Sequence, residues 1–114
     1  MGLLYYGADK TPAEIPDRLL AHVKVVTATK LRRSESFTLS WRHPDGDERG
    51  RTTLWMQPSI PLRFVFESPE PETLDPELLR DLAAMANSSA GLSLAWADEP
   101  LATIAPAARQ PLAA

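Results

Sequence analysis

One stretch of alternating polarity constrains the fold of this chain more than any other feature. Within residues 36–42, the apolar side chains of Phe37, Leu39 and Trp41 alternate with polar ones. This period of two residues is typical of a β-strand that buries one face and exposes the other. We therefore predict a strand whose polar side chains point away from the core.

A turn and a second strand follow directly. Pro44, Asp45 and Gly46 favour a turn, because proline fixes φ, aspartate bonds its own backbone and glycine accepts positive φ. Residues 51–57 are rich in the β-branched and aromatic types that pack well on a pleated surface. Together these segments predict a β-hairpin.

The direction in which the second strand faces decides what the hairpin exposes. If Leu54 and Met56 face the core, Trp55 faces the other way. The opposite arrangement stays open, because Trp55 is itself a good core residue. On the first alternative, the exposed side of the predicted sheet carries hydroxyls, arginines and one indole: Thr38, Ser40, Arg42, Arg51, Thr53, Trp55, Gln57 and Arg63.

The remaining segments predict one strand before the hairpin, two strands after it, and two helices. Residues 3–6 are short and apolar and predict a strand, followed by a loop at 9–15. A helix begins near Pro16 and Asp17, and a second begins near Asp75, because proline and aspartate suit a first helical turn. Alternation at 62–66 and at 92–96 predicts the last two strands.

The predicted order of elements is β-α-β-β-β-α-β. Strands joined by hairpins pair antiparallel, and two amphipathic helices can cover one face of a sheet. Over residues 1–96 we therefore predict a single α+β domain, a two-layer sandwich with a mainly antiparallel sheet of about five strands and two helices on one face. Residues 97–114 are rich in alanine and proline, which predicts a C-terminal tail outside the domain.

Composition bears on the compartment. The chain is 44% hydrophobic and 24% charged, as in soluble globular proteins, and it has no run of about eighteen apolar residues that could span a membrane. The first ten residues lack the pattern of a secretory signal. The absence of cysteine excludes disulfides and thiolate metal sites. We predict a cytoplasmic protein.

The charges are unevenly distributed, although the net charge is only −3. Lys24, Lys30, Arg32 and Arg33 lie in a range without acidic residues and predict a local basic patch that could contact phosphates. Lys30 also falls within the apolar stripe of the first helix. Two interpretations of Lys30 stay open: its stem follows apolar atoms while its ammonium reaches the rim or finds a carboxylate, or its ammonium faces a ligand.

No pattern of catalytic or metal-binding residues is visible. The two histidines, His22 on the predicted solvent side of the first helix and His43 at a strand end, have no partner at metal-ligand spacing. Glycine-rich phosphate loops are also missing. A histidine pairing with Asp45 or Ser36 stays open, because such sites are recognised by geometry. We predict no catalytic residue, no metal and no cofactor.

Five runs of this sequence resemble a family of small uncharacterised actinobacterial proteins. They are residues 20–33, ESFTLSW at 35–41, RTTLW at 51–55, PSIPL at 58–62 and ANSSAGL at 86–92. Some members of that family carry the label ATP-dependent DNA ligase. Adenylating ligases use a lysine nucleophile in a K-x-D-G setting, whereas the only D-G here follows Arg42, His43 and Pro44. The resemblance therefore implies a compartment but no functional residue.

Three functional hypotheses follow from the exposed side of the hairpin. The first is a non-catalytic binding module for an unknown protein partner, anchored by Trp55, Arg42, Arg51 and Arg63, because tryptophan and arginine are enriched at interfaces. The second is a nucleic-acid-binding accessory protein that adds the basic patch to an indole stacking platform. In the third, the exposed side is buried in a homodimer.

Overall fold

The computed structural model describes residues 1–96, and the predicted tail, 97–114, lies outside the described residues. Strands and helices follow the order β1 (Gly2–Tyr6), β2 (Ala13–Ile15), α1 (Asp17–Arg32), β3 (Phe37–Arg42), β4 (Arg51–Met56), β5 (Leu62–Val65), α2 (Pro76–Ala86) and β6 (Leu92–Leu94). The α+β class is confirmed. All the predicted elements are present, and β2 is an additional strand where we expected a loop.

The strands form two sheets rather than the single sheet that we predicted. The first sheet has the order β2-β1-β5 and is antiparallel throughout. The second has the order β4-β3-β6, in which β3 pairs antiparallel with β4 and parallel with β6.

The loop between β4 and β5 separates the two sheets. Pro58 and Pro61 fix two φ angles within it, and the carbonyl of Pro61 accepts a hydrogen bond of 2.8 Å from the N–H of Gly7. This contact brings β5 beside β1 instead of beside β4. The second hairpin that the sequence implied is therefore replaced by a long-range pairing.

One helix packs on each sheet. The helix α1 contacts β1, α2 contacts β3 and β6, and the two helices also pack against each other. The apolar stripe predicted for α1 is buried, with Leu20, Val23 and Val26 at its centre. Leu78 and Leu82 make the matching contact from α2. The core thus lies between the inner faces of the two sheets and the paired helices.

Candidate binding surfaces

The side of the second sheet that points away from the core is polar and carries one large aromatic residue. Thr38 lies opposite Trp55, Ser40 opposite Thr53, and Arg42 opposite Arg51 in the β3–β4 register, and residues that lie opposite each other share a face. Ser93 of β6 lies beside Ser40 and joins the same face. We call this surface the outer face: Thr38, Ser40, Arg42, Arg51, Thr53, Trp55 and Ser93.

Trp55 points away from the core, as in the alternative in which Leu54 and Met56 face the core. Its side chain is on the outer face, and the residue is 56% exposed, whereas its neighbour Met56 is fully buried. Ser40 and Thr53 bind each other through their hydroxyls at 2.8 Å in the middle of the face. The indole therefore stands at one end of a flat polar surface and the arginines stand at the other.

Two arginines occupy directly opposite positions on the outer face. The N–H of His43 donates to the carbonyl of Gly50 at 3.0 Å, which makes that pair a hydrogen-bonded one. Arg42 and Arg51 come next in the ladder and occupy the closer, non-hydrogen-bonded position. Like charges placed directly opposite destabilise a sheet. Within residues 1–96 neither guanidinium forms an ion pair that would offset this repulsion.

Strand β4 is an edge strand of the second sheet within residues 1–96. Because Arg51, Thr53 and Trp55 are in non-hydrogen-bonded positions, their backbone N–H and C=O groups point to the open edge. At Trp55 the carbonyl accepts a hydrogen bond from the hydroxyl of Tyr6. This bond holds the backbone under the exposed indole and occupies one end of the edge.

Arg63 does not belong to the outer face, which corrects our prediction. It lies on β5 in the first sheet, opposite Tyr5, with its guanidinium 4.9 Å from the centre of the Tyr5 ring. Gln57 also leaves the set, because it is half-buried and its side chain accepts hydrogen bonds from Ser59. The prediction for Arg63 assumed that β5 continues the hairpin sheet, which the pairing of β5 with β1 prevents. The prediction for Gln57 assumed that β4 extends to it, whereas β4 ends at Met56.

A cleft between the two sheets was not predicted from the sequence. It has a volume of about 490 Å³ and lies where Tyr6 and Ala13 of the first sheet face Trp41 and Leu54 of the second, with Trp96 completing the apolar wall. The helix α2 packs on β3 and β6 beside this cleft. Each aromatic residue could be assigned to the core by its alternation, but no sequence pattern indicated that a gap would remain between them.

Fixed polar groups line the same cleft. The Nε2 atom of His43 and the hydroxyl of Thr52 are 2.6 Å apart, and the rings of His43 and Trp41 meet edge to face at 6.0 Å. Asp47 accepts hydrogen bonds from both the side chain and the backbone N–H of Arg49 at 2.8–3.0 Å. These bonds hold the pKa of Asp47 well below its ordinary value. Hydrogen bonds within the hairpin therefore hold these polar groups of the cleft in place.

Comparison with known proteins assigns a family. The model of a domain of unknown function, DUF7882, matches residues 1–97. The chain belongs to the DUF7882 family. No curated protein and no solved structure matches it. The match confirms that the family has no assigned function. It supports neither the actinobacterial origin nor the ligase label that came with the resemblance.

In this DUF7882 domain, Lys30 lies apart from the outer face. The residue is only 9% exposed, and its ammonium lies 2.6 Å from Oδ1 of Asn87, at the end of α2, and 3.2 Å from the carboxylate of Glu35. The hydrogen bond from Lys30 lowers the pKa of Glu35. The carboxylate agrees with the first interpretation of Lys30, whereas the amide of Asn87 was not predicted, because it comes from the distant end of α2.

That turn after α1 has the geometry of a Schellman motif. Ser34 has a φ of 60°, the N–H of Glu35 donates to the carbonyl of Lys30, and the N–H of Ser34 donates to the carbonyl of Leu31, both at 2.9 Å. The chain reverses here and returns Glu35 to the side of Lys30. No glycine indicated this ending, because a serine takes the left-handed position.

The predicted basic patch of the DUF7882 domain is partly paired with an acidic residue. Lys30 and Arg33 both bind the carboxylate of Glu35, at 3.2 and 2.9 Å. The ammonium of Lys24 lies 5.7 Å from the centre of the Phe66 ring, and Arg32 is exposed at the end of α1. Lys30 and Arg33 therefore lie side by side, while Lys24 makes a separate contact.

His22 is buried, which corrects the expectation that it lies on the solvent side of α1. It is 0% exposed; its Nδ1 donates to the carbonyl of Arg18 at 2.7 Å, and its Nε2 accepts from the N–H of Asp75 at 2.8 Å. These partners fix the neutral tautomer with the proton on Nδ1, because a carbonyl can only accept. His22 thus joins α1 to the N-cap residue of α2.

No group of three or more histidine, aspartate or glutamate side chains in residues 1–96 is arranged to hold a metal ion. Neither α1 nor α2 is long and apolar enough to cross a membrane.

Proposed function

We propose that this domain is a non-catalytic binding module that holds an acidic protein segment on its outer face. The observation that carries the proposal is the exposure of Trp55 on the same face as two opposed arginines. An exposed large aromatic residue beside arginines is the residue combination that dominates the energetics of protein interfaces. A cytoplasmic location stays our prediction, because the chain contains no cysteine.

The opposed arginines indicate the charge of the partner. Arg42 and Arg51 repel each other in the free domain, and a carboxylate placed between them removes that repulsion and forms charge-assisted hydrogen bonds. Guanidinium groups are well suited to this, because their planar fork matches the two oxygens of a carboxylate. An acidic segment therefore gains more from this face than a neutral one.

The open edge of β4 indicates the conformation of the partner. The backbone groups of Arg51 and Thr53 point to this edge, while their side chains belong to the outer face. An extended peptide that adds to a sheet edge forms main-chain hydrogen bonds and places alternate side chains on one face. An extended acidic segment can thus bind the edge and the arginines together, with Trp55 as the apolar anchor.

The nucleic-acid and homodimer hypotheses receive less support. The first relied on a basic patch in which Lys30 already binds Asn87 and Glu35 and Arg33 already binds Glu35, so fewer of its charges are available to phosphates. The second has no element that supplies the negative charge the arginines need, since the same outer face would meet itself. Both are kept as outcomes of the experiment.

The experiment selects extended peptides from a random display library on the full chain and measures the affinity of the winners. We expect an acidic consensus, binding that weakens with added salt, and a loss of at least about 30-fold on Trp55→Ala, as for a central interface residue. Leu74→Ala is the matched control, because Leu74 is a second exposed apolar residue, 43% accessible, outside the outer face. Equal losses for both variants would contradict the proposal.

Two further measurements separate the alternatives. Binding of single-stranded DNA that depends on Trp55, without binding of acidic peptides, would assign the face to nucleic acid. Sedimentation that shows a dimer for the wild-type chain and a monomer for Trp55→Ala would assign the face to self-association.

A further inference from the structure

We propose that the cleft between the two sheets binds a flat, uncharged aromatic molecule that carries a hydrogen-bonding group. On β3 and β4 the cleft is lined by Trp41, Thr52 and Leu54 of the inner side, and Arg42 of the outer face also reaches it. The two proposals share Arg42 but have separate readouts, because Trp41 lines the cleft and Trp55 does not.

The shape of the cleft favours a flat ring. Tyr6, Trp41 and Trp96 contribute aromatic surface to its walls, and all three are half-buried. Aromatic rings attract one another in offset-stacked or edge-to-face arrangements, which a planar guest can join. The volume of about 490 Å³ lies within the usual range of about 300–1,000 Å³ for small-molecule sites.

The charges around the cleft favour an uncharged guest. Its lining includes the carboxylates of Asp9, Glu14 and Asp47, two guanidiniums and the amino terminus, so neither sign dominates. The guanidinium of Arg49 is bound to Asp47, and the amino terminus is bound to Glu67 at 2.9 Å. A charged ligand would lose hydration on entry without meeting a matching field.

The polar groups of the cleft indicate what the guest must carry. The hydroxyl of Thr52 is held 2.6 Å from Nε2 of His43, and a hydroxyl has one proton and two lone pairs. Bonding to His43 therefore leaves Thr52 with hydrogen-bonding capacity for a ligand. A hydroxyl or amide on the edge of the aromatic ring can use this capacity.

The test uses the indole N–H signals of the full chain in a nitrogen-15 correlation spectrum. The chain has three tryptophans, of which Trp41 and Trp96 line the cleft while Trp55 lies on the outer face. We expect 1-naphthol to shift the signals of Trp41 and Trp96 and to leave that of Trp55 unchanged. For a ligand of about eleven heavy atoms, a dissociation constant of about 1 mM or tighter is expected.

A charge series makes the test specific. We expect 1-naphthoate and 1-naphthylmethylammonium, which have the same ring with a negative or positive group, to bind at least about 10-fold more weakly than 1-naphthol, because each must be desolvated. Thr52→Val keeps the shape of the wall and removes the hydroxyl. It should weaken the binding of 1-naphthol by about 2- to 10-fold and leave that of naphthalene unchanged.

Three outcomes would overturn the proposal. The first is an absence of shifts at saturating 1-naphthol, and the second is equal binding of the charged compounds. The third concerns the chain itself: if Leu101→Ser combined with Ile104→Ser shifts the signals of Trp41 and Trp96 while 1-naphthol does not, the cleft belongs to the C-terminal segment.

Discussion

Two regions of this domain contain polar side chains in different settings. The first is the helix junction, where α1 packs on α2. Its polar residues are at most 9% exposed: His22, Thr27 and Lys30. His22 and Lys30 bind groups at the two ends of α2. On the outer face, the arginines and Trp55 are exposed, and within residues 1–96 the arginines form no ion pair.

The difference separates polar groups that stabilise the fold from polar groups that are available to a partner. A buried polar group costs free energy unless its hydrogen bonds are made, so the bonds of His22 and Lys30 are a condition of folding. The outer face carries no such condition, because water solvates its side chains. Substitutions at the junction should therefore change stability, and substitutions on the outer face should change binding.

The largest expected effect is that of His22→Ala. This change removes two hydrogen bonds, one of them from the part-buried N–H of Asp75, and opens a cavity beside α2. We expect the free energy of unfolding to fall by about 2–4 kcal/mol. Urea denaturation followed by circular dichroism measures it.

Ser93→Ala on the outer face is the control for that variant. Ser93 is exposed, so we expect a change within about 0.5 kcal/mol. If both substitutions cost the same free energy, the junction would have no special role and the comparison would fail.

Local patterns predicted the elements of this fold well. The alternation of Phe37, Leu39 and Trp41 identified β3, and Asp75 followed by Pro76 identified the start of α2, where the Asp75 side chain accepts from the N–H of Glu77 at 3.0 Å. Such signals lie within a few residues of each other and depend on short-range chemistry. For Trp55 they left two directions open, of which the structure has the exposed one.

These patterns could not predict which distant segments pair with each other. The strand β2 has only three residues, too few for a period to be visible, and β5 pairs with β1 across more than fifty residues of chain. The partners of His22 and Lys30 are similarly remote in sequence. For the same reason the position of Arg63 was predicted wrongly and the cleft was not predicted, since both depend on which sheet each strand joins.

Thr27→Val tests the buried polar residue of the helix junction whose hydroxyl is not hydrogen-bonded within residues 1–96. Thr27 is 2% exposed, and within the described chain, 1–96, its hydroxyl has no hydrogen-bond partner. Valine has nearly the same shape, so the change removes an unpaired polar group without opening a cavity. We expect the free energy of unfolding to rise by about 1 kcal/mol in thermal or urea denaturation.

The control for that variant is Thr53→Val on the outer face. Thr53 is exposed and its hydroxyl binds that of Ser40, so valine should bring no gain. A loss of stability in Thr27→Val would instead mean that the hydroxyl of Thr27 has a partner, and that the junction contains no unpaired polar group at this position.

The smallest expected effect concerns the repulsion between Arg42 and Arg51. Glutamine keeps a polar side chain and removes the charge, so Arg42→Gln and Arg51→Gln should each raise the free energy of unfolding by about 0.2–0.5 kcal/mol. The double variant should gain no more than either single one, because the repulsion is already absent after the first change. The gain should shrink as salt is added.

This double-mutant cycle also links the outer face to its proposed function. Both single variants should bind selected acidic peptides more weakly while being slightly more stable, since the charges that repel each other in the free domain attract the partner. Additive changes in the cycle would show that the two guanidiniums do not interact. The face would then lose the feature from which we infer an acidic partner, while the exposure of Trp55 would still call for an apolar one.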